Sequence, residues 1–161
     1  NYRNTGKQKK AVLKCCAKTA IDCDNAMMYC VDASVIVSAA LGSEHHSERS
    51  RMFFTQALEA NAKFLVPEFT VPEIASATLR ATQKKLAVYH FIKFFRNLDQ
   101  FLFVSVERLL SDRATGIVLE TGLRPGDALY VALAASYGIP LVTLDKEQLE
   151  KGRRVAEVRE P

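Results

Sequence analysis

Four acidic residues stand at positions where folding alone gives little reason for a carboxylate: Asp32, Glu73, Asp127 and Asp145. Asp32 follows the apolar run 29–31, and Asp145 follows the apolar run 139–144. Short runs rich in Val, Leu and Ile are typical of buried strands in a parallel sheet. In open α/β sheets the functional site lies beyond the carboxyl ends of the strands. The sequence therefore predicts that these acids meet at one edge of a sheet.

Each of these acids also has an ordinary structural explanation. Asp32 and Asp127 can serve as helix N-caps. Glu73 can be favoured by the helix dipole in a first turn, and Asp145 can open a turn. Four carboxylates converging on one edge, however, repel one another and raise each other's pKa. A bound Mg²⁺ or Mn²⁺ removes that penalty with hard oxygen ligands, so the cluster indicates a divalent metal site more than it indicates capping.

A cation held by carboxylates predicts phosphoryl chemistry. The ion polarises a phosphate, lowers the pKa of an attacking water and stabilises the leaving oxygen, without a catalytic His or Cys. Ser34 and Thr143, beside the strand-end aspartates, can orient a water or a phosphate, although ordinary cap and strand roles remain open for both. Arg124 can contact a phosphate. The adjacent His45 and His46 can reach the site from a loop, but solvation is the more common role of such histidines.

The distribution of apolar residues predicts strands and helices in alternation. The predicted helices span residues 33–41, 51–60, 71–84, 86–98, 108–120 and 127–137, and residues 44–50 are predicted to form a loop. The predicted strands span residues 29–31, 64–66, 101–104 and 139–144, with a short last strand at 155–158. This alternation favours an α/β class: a three-layer α/β/α fold around a mainly parallel sheet of four to five strands.

Length and composition fit one compact domain. The chain has 161 residues, of which 48% are hydrophobic and 25% are charged. No run of about 18 apolar residues is present, so a membrane span is not expected. The net charge of +4 comes from residues 1–26, which hold six basic and two acidic side chains. The remainder balances 16 basic against 16 acidic residues, so net charge does not indicate a nucleic-acid partner.

The first 26 residues differ from the rest of the chain. They are polar and basic, and the four cysteines all lie within the first 30 residues: Cys15, Cys16, Cys23 and Cys30. Their spacing matches neither a disulfide framework nor a zinc site, which favours a reducing, cytoplasmic setting. Because Met27 and Met28 directly precede the first strand, we expect a flexible upstream extension over 1–26 and one domain over 27–161. A genuine basic tail is the alternative.

Four segments of the chain resemble the four motifs of PIN-domain nucleases. These segments are residues 31–37, 67–75, 126–134 and 139–145, which contain the four acids in the order and spacing of the family. They are most similar to the VapC-type toxins of bacterial and archaeal type II toxin–antitoxin pairs. The likeness covers residues 28–158, and its last two motifs are the specific ones. Residues 1–26 have no counterpart in the family.

The resemblance implies a site and an activity. By it, the catalytic and metal-binding acids are Asp32, Glu73, Asp127 and Asp145, and the activity is Mg²⁺- or Mn²⁺-dependent endoribonuclease cleavage of RNA. Glu68 also follows Pro67, but Glu73 is preferred because it stands six residues past the proline, within the helix. The resemblance further implies a homodimer and a small antitoxin protein that covers the acidic cleft.

Two other functions remain open at this point. One is a housekeeping PIN nuclease that processes RNA. The other is a non-catalytic regulatory domain, either PIN-like or receiver-like. A receiver needs a phosphoacceptor Asp after its third strand and a Lys after its fifth, whereas this chain has Ser105 and Asp145 at those places. The phenylalanines of the middle region favour packing in a core or a dimer over base stacking: Phe91, Phe94, Phe95, Phe101 and Phe103.

Overall fold

Five parallel strands form the centre of the computed structural model, which describes residues 27–42 and 45–161. The predicted extension with Cys15, Cys16 and Cys23, and Glu44 of the predicted loop, lie outside the described residues. The strands are β1 (Met28–Val31), β2 (Lys63–Pro67), β3 (Phe101–Val104), β4 (Leu141–Val142) and β5 (Val158–Arg159). Their order in the sheet is β3-β2-β1-β4-β5, and every pairing is parallel.

Helices connect the strands and cover both faces of the sheet. They are α1 (Ala33–Leu41), α2 (His45–Glu59), α3 (Thr70–Thr82), α4 (Lys85–Arg96), α5 (Arg108–Thr121), α6 (Pro125–Tyr137) and α7 (Lys146–Lys151). Successive residues of a strand point to opposite faces. Tyr29 packs edge-on against Phe53 of α2, at 5.3 Å between ring centroids, while the Cys30 thiol lies 3.6 Å from the carbonyl oxygen of Tyr130 in α6. The sheet therefore lies between two helical layers, which confirms the predicted three-layer α/β/α fold.

Helix α2 corrects the sequence prediction, because it begins at His45 and includes most of the predicted loop. Ser47 and Ser50 are buried on it, where α1 and α2 pack together. A Cβ at Gly42 would lie 1.9 Å from Ser47 Oγ, so the absent side chain allows this approach. Ser50 Oγ donates to the carbonyl of His46 at 2.9 Å. The polar run is helical because small hydroxyl side chains, rather than apolar ones, form its buried face.

The last two strands are shorter than predicted. Only Leu141–Val142 of the predicted strand 139–144 is a strand, because the chain turns at Thr143 towards α7. The predicted strand 155–158 is also displaced. A 3₁₀ turn occupies Gly152–Arg154, and the amides of Val155 and Ala156 donate back to the Gly152 carbonyl, so strand pairing begins only at Val158.

The sheet is held by a core of buried apolar side chains from both layers. Val31, Phe64 and Leu141 are inaccessible to solvent on three neighbouring strands. Phe64 contacts Phe54 of α2 at 5.1 Å and Phe101 of β3 at 5.0 Å between ring centroids. This packed centre holds the carboxyl ends of the paired strands β1 and β4 side by side, where the site lies.

Within the described residues, no helix is long and apolar enough to cross a membrane.

Candidate functional site

The four acids predicted from the sequence line one cleft of about 550 Å³: Asp32, Glu73, Asp127 and Asp145. Asp32 directly follows β1, and Asp145 follows β4 after two residues. Glu73 and Asp127 stand in the first turns of α3 and α6. The structure thus brings strand ends and helix starts together at the carboxyl edge of the sheet, where open α/β folds place their sites.

Asp32 is the most buried of the four, with 6% of its surface exposed. It is the N-cap of α1, and its Oδ2 accepts from the Ser34 amide at 3.3 Å, from the Ser34 hydroxyl, and from Thr143 Oγ1 at 3.1 Å. Burial raises the pKa of Asp32, the hydrogen bonds from Ser34 and Thr143 oppose this, and the charge of Asp127 adds to it. These bonds use only one carboxylate oxygen, so capping does not occupy the whole group.

Ser34 and Thr143 tie the end of β1 to the end of β4. Besides its bond to Asp32, Ser34 Oγ accepts from the Leu144 amide at 3.2 Å, and Thr143 Oγ1 accepts from the Asp145 amide at 3.0 Å. Both hydroxyls therefore join one strand-end aspartate to the chain around the other. They hold the acids in position, whatever they contribute to a bound water or phosphate.

Glu73 is held by a residue that the sequence analysis missed. The buried hydroxyl of Tyr130, on α6, donates to Glu73 Oε2 at 2.5 Å and lies 2.9 Å from Thr70 Oγ1. Burial raises the pKa of Glu73 to about 7, helped by the charges of Asp32 and Asp127, while the Tyr130 hydrogen bond opposes the rise. In sequence, Tyr130 reads as one more apolar member of an inner helix face, so nothing in the pattern distinguishes its hydroxyl.

Glu68, the alternative to Glu73, lies outside the cleft. Its carboxylate forms an ion pair with Arg96 of α4 at 2.9 Å, and both side chains are substantially exposed. Glu73 lines the cleft together with the three aspartates. The geometry therefore favours Glu73, as the spacing from Pro67 predicts.

Asp127 and Asp145 differ in their relation to the helices. Asp145 is the N-cap of α7 and accepts from the Gln148 amide at 3.0 Å through Oδ1. Asp127 is not a cap, because α6 starts at Pro125 with Arg124 as its N-cap residue. The predicted start at 127 is therefore two residues late. Pro125 fits the first helical position, since its missing N–H would have no partner there.

One buried residue, Gln148, joins these two acids. Its side-chain Nε2 donates to Asp127 Oδ1 at 3.1 Å, and its backbone N–H donates to Asp145 Oδ1. The other oxygens face Arg124, whose Nε donates to Asp127 Oδ2 at 3.0 Å and whose Nη2 donates to Asp145 Oδ2 at 3.3 Å. Gln148 Oε1 is buried without a hydrogen-bond partner. The sequence analysis predicted Arg124 as a phosphate contact and missed Gln148.

Other charged and aromatic residues divide between the cleft and distant surfaces. Arg80 and Phe69, which the sequence analysis did not single out, line the cleft. His46 lies on α2, outside the lining of the cleft, and the side chain of His45 is outside the described residues. Four of the five phenylalanines predicted to pack do so on the other side of the sheet from α6: for example, Phe95 lies 4.7 Å from Phe101 and 5.2 Å from Phe103 between ring centroids. Phe94 is the exception, because 62% of its surface is exposed.

Comparison with known proteins decides the family. The PIN domain sequence pattern matches residues 29–154, most of the chain. The chain belongs to the PIN domain family. PIN domains are generally nucleases, and PIN nucleases generally use divalent metal ions. No curated protein sequence matches the chain.

Solved structures share the fold of this PIN domain. Mycobacterium tuberculosis VapC20, a Sarcin-Ricin loop cleaving toxin, superposes with a TM-score of 0.66 at 15% identity, over 82% of this chain and 98% of that one. VapBC2 from Rickettsia felis, bound to a DNA fragment from its promoter, superposes with a TM-score of 0.62 at 14% identity, over 83% of this chain and 98% of that one. PAE2754 from Pyrobaculum aerophilum superposes with a TM-score of 0.55 at 25% identity, over 82% of this chain and 83% of that one. At 15% and 14% identity, the likeness to VapC20 and VapBC2 concerns the fold alone.

The donor set of this PIN domain fits a hard divalent cation. Four carboxylates line the cleft, and the pKa values of Asp32 and Glu73 are raised partly by neighbouring negative charge. Oxygen ligands of this kind suit Mg²⁺ and Mn²⁺. Within residues 27–42 and 45–161, no three His, Cys, Asp or Glu side chains are grouped closely enough to hold an ion as they stand. Metal binding therefore requires the carboxylates to close around the ion.

Proposed function

We propose that this PIN domain is a Mg²⁺- or Mn²⁺-dependent endoribonuclease and the VapC-type toxin of a type II toxin–antitoxin pair. The observation that carries the proposal is the convergence of Asp32, Glu73, Asp127 and Asp145 on one cleft. Membership of a family that generally consists of nucleases supports the reaction. The shared fold with toxins and toxin–antitoxin complexes supports the biological role.

Each acid has one oxygen anchored by a neutral donor, which suits it to bind a cation with the other, although Arg124 contacts that second oxygen on Asp127 and Asp145. Ser34 and Thr143 hold Asp32 Oδ2, Tyr130 holds Glu73 Oε2, and Gln148 holds the Oδ1 atoms of the remaining two. Such secondary hydrogen bonds orient metal ligands and raise metal affinity. When bound, the ion polarises the phosphate, activates water and stabilises the leaving oxygen.

The charges around the cleft suit an RNA backbone. Arg80 lines the cleft from α3, and Arg124 lies at its exposed rim. Guanidinium groups bind phosphate oxygens in a bidentate manner, so both can orient the scissile strand. Glu73, whose pKa is about 7 in the metal-free protein, can exchange a proton near neutral pH. We further propose a cytoplasmic homodimer whose cleft is covered by a cognate antitoxin protein.

The proposal is tested by incubating total RNA with the purified protein and Mg²⁺ or Mn²⁺, with EDTA as the metal-free condition. Asp127→Asn keeps the size of the side chain and removes its charge, so cleavage should fall at least about 100-fold. Asp112→Asn is the matched control, because Asp112 is 69% exposed and pairs with Arg108 on the surface of α5. Cleavage that survives EDTA or Asp127→Asn would contradict the proposal.

The role as a toxin has a separate test. Expression of the wild type in a bacterial host should arrest growth, and expression of Asp127→Asn should not. Metal-dependent cleavage without growth arrest would point instead to a housekeeping nuclease. Bound proteins that co-purify with the wild type can then be examined for a small partner that blocks cleavage.

A further inference from the structure

A single guanidinium spans two of the acids that the proposed function assigns to metal binding. Arg124 Nε lies 3.0 Å from Asp127 Oδ2, and Arg124 Nη2 lies 3.3 Å from Asp145 Oδ2. Nε and Nη2 form one edge of the planar guanidinium fork, which normally holds both oxygens of one carboxylate. Here the same edge takes one oxygen from each of two carboxylates. Arg124 is therefore an internal counterion for a pair of aspartates.

The oxygens that face Arg124 are the ones that a cation would need. Gln148 already holds the Oδ1 atom of both aspartates: its side-chain Nε2 donates to Asp127, and its backbone N–H donates to Asp145. Gln148 is fully buried, so these two bonds hold the rear of each carboxylate. Each Oδ2 atom accepts a bond from Arg124. A divalent cation on the same two oxygens would be repelled by the positive charge of the guanidinium.

The position of Arg124 makes it easy to displace. Its side chain is 69% exposed, against 15% for Asp127 and 28% for Asp145. Exposed ion pairs contribute little to stability, because water and salt screen them. Arg124 is also the N-cap residue of α6 and makes no capping bond with its side chain. Moving the guanidinium into solvent therefore breaks two screened bonds and leaves the helix start unchanged.

We propose that Arg124 is a displaceable counterion that competes with the divalent cation for the Oδ2 atoms of Asp127 and Asp145. In the metal-free protein it holds two like charges together, and metal loading requires it to swing out of the cleft. The apparent metal affinity is then lower than the intrinsic affinity by the fraction of molecules in which Arg124 is out. This inference rests on the proposed function for the identity of the ligand as a divalent metal ion.

The test is a calorimetric titration of the protein with MnCl₂ in the absence of RNA. Arg124→Gln removes the competing charge, so the Kd for Mn²⁺ should decrease about three- to tenfold. Arg124→Lys keeps a positive charge but loses the forked geometry of the guanidinium. Its Kd for Mn²⁺ should therefore lie between the values for the wild type and for Arg124→Gln. Arg96→Gln is the control, because Arg96 forms a comparable 2.9 Å ion pair with Glu68 outside the cleft. Its Kd should equal that of the wild type.

A second measurement follows Arg124 itself. In ¹⁵N-labelled protein, titration with diamagnetic Mg²⁺ should shift the Nε–H resonance of Arg124 and speed its exchange with water, because the bond to Asp127 is lost. The Nε–H resonance of Arg96 should not change. This readout requires no variant and no RNA, so a folding defect in Arg124→Gln, which circular dichroism would reveal, does not prevent the test.

The outcomes separate this inference from the proposed function. Equal or weaker Mn²⁺ binding by folded Arg124→Gln, or an Arg124 Nε–H that is insensitive to Mg²⁺ at saturation, would overturn the competition. The proposed function would stand if wild-type binding were lost in Asp127→Asn. If neither the wild type nor Arg124→Gln bound Mn²⁺, both the inference and the metal-dependent function would fail. Binding by Arg124→Gln alone would support the competition strongly.

Discussion

Gln148 Nε2 donates a 3.1 Å hydrogen bond to Asp127 Oδ1, although the two residues are 21 positions apart in the sequence. Asp127 lies in the first turn of α6 and Gln148 in α7, so the bond joins two helices at the carboxyl edge of the sheet. Gln148 is completely buried and its Oε1 has no hydrogen-bond partner. The protein thus tolerates an unsatisfied buried acceptor in order to place one donor against a carboxylate.

Gln148→Met should separate the positioning role of this residue from its contribution to stability. Methionine fills a similar volume and removes both the Nε2 donor and the unpartnered oxygen. Because the two effects oppose each other, the free energy of unfolding should change by less than about 1 kcal/mol in urea denaturation. Mn²⁺ affinity should fall about 10- to 100-fold, the usual effect of removing a hydrogen bond behind a metal ligand.

The control for this substitution is Gln56→Met, on the exposed face of α2. It introduces the same side chain far from the cleft, so Mn²⁺ affinity and unfolding should both match the wild type. If Gln148→Met bound Mn²⁺ as tightly as Gln56→Met, Asp127 would not depend on Gln148 for its orientation.

The sequence predicted where the acids lie but only part of what holds them. Strand ends and helix starts are local features, so the positions of Asp32 and Asp145 follow from apolar runs and capping signals. The spacing of Asp145 and Gln148 even matches a capping box, in which the glutamine side chain returns to the cap. In the structure that side chain instead reaches Asp127. Its partner depends on how α6 and α7 pack, which no local pattern encodes.

The start of α2 at His45 is another feature that a local sequence pattern does not predict. The spacing of apolar residues is the main sequence signal for a helix, and the run 44–50 has no apolar residue. Ser47 and Ser50 are nevertheless buried there, and the missing side chain of Gly42 leaves room for the Ser47 hydroxyl. The buried face of this helix is recognisable only when its neighbour is known. The parallel direction of the strands, by contrast, follows from the alternation of strands and helices along the sequence.

Ser34 and Thr143 should behave as a coupled pair, because both donate to Asp32 Oδ2 and both accept an amide from the chain after β4. Ser34→Ala and Thr143→Val should each lower the free energy of unfolding by about 1–2 kcal/mol, because a partly buried backbone amide loses its acceptor and Asp32 loses a donor. The double variant should lose more than the sum, because each hydroxyl still donates to Asp32 Oδ2 when the other is absent. Strictly additive losses in urea denaturation would show that the hydroxyls act independently.

Glu73 should make the metal-free protein less stable as the pH rises. Its pKa is raised from 4.5 to about 7 in the folded state, mainly by burial. The folded protein therefore binds the proton more tightly than the unfolded chain does. The stability from this group is fully present below about pH 4.5 and is lost as the pH approaches and passes about 7. In EDTA, the Tm of Glu73→Gln should fall less than the wild-type Tm between about pH 5 and about pH 8.

The matched control is Glu147→Gln, an exposed residue that pairs with Lys151 on α7. Its Tm should follow the wild-type dependence on pH. Asp32 remains in all three proteins, and its raised pKa gives a residual slope of the same sign. Parallel curves for the wild type and Glu73→Gln would show that folding does not raise the pKa of Glu73.

Tyr130→Phe should move the metal dependence of the protein on the pH scale. The Tyr130 hydrogen bond lowers the pKa of Glu73, so its removal should raise that pKa further. Because a metal binds the ionised carboxylate, Mn²⁺ affinity rises as Glu73 loses its proton. The midpoint of that rise should therefore shift to higher pH in Tyr130→Phe. Tyr89→Phe, on the exposed face of α4, should leave the midpoint unchanged.

Two glycines offer a final, paired prediction. A Cβ at Gly116, in the middle of α5, meets no atom within 4 Å, so Gly116→Ala should raise the free energy of unfolding by about 0.5–1 kcal/mol without affecting the cleft. A Cβ at Gly126 would lie 3.0 Å from Phe69 Cε1 and 3.3 Å from Glu73 Oε1. There the gain in helix propensity is opposed by crowding, and we expect Glu73 to move in order to relieve it.

Gly126→Ala should therefore show little change in urea denaturation but weaker Mn²⁺ binding, whereas Gly116→Ala should show the reverse. The contrast isolates the space beside Glu73, because both substitutions add one methyl group to a helix. If Gly126→Ala gained stability and kept its Mn²⁺ affinity, Phe69 would be yielding instead of Glu73, since the Phe69 side chain is 39% exposed and can rotate away. In that case the absence of a side chain at position 126 would serve the approach of the ring rather than the carboxylate.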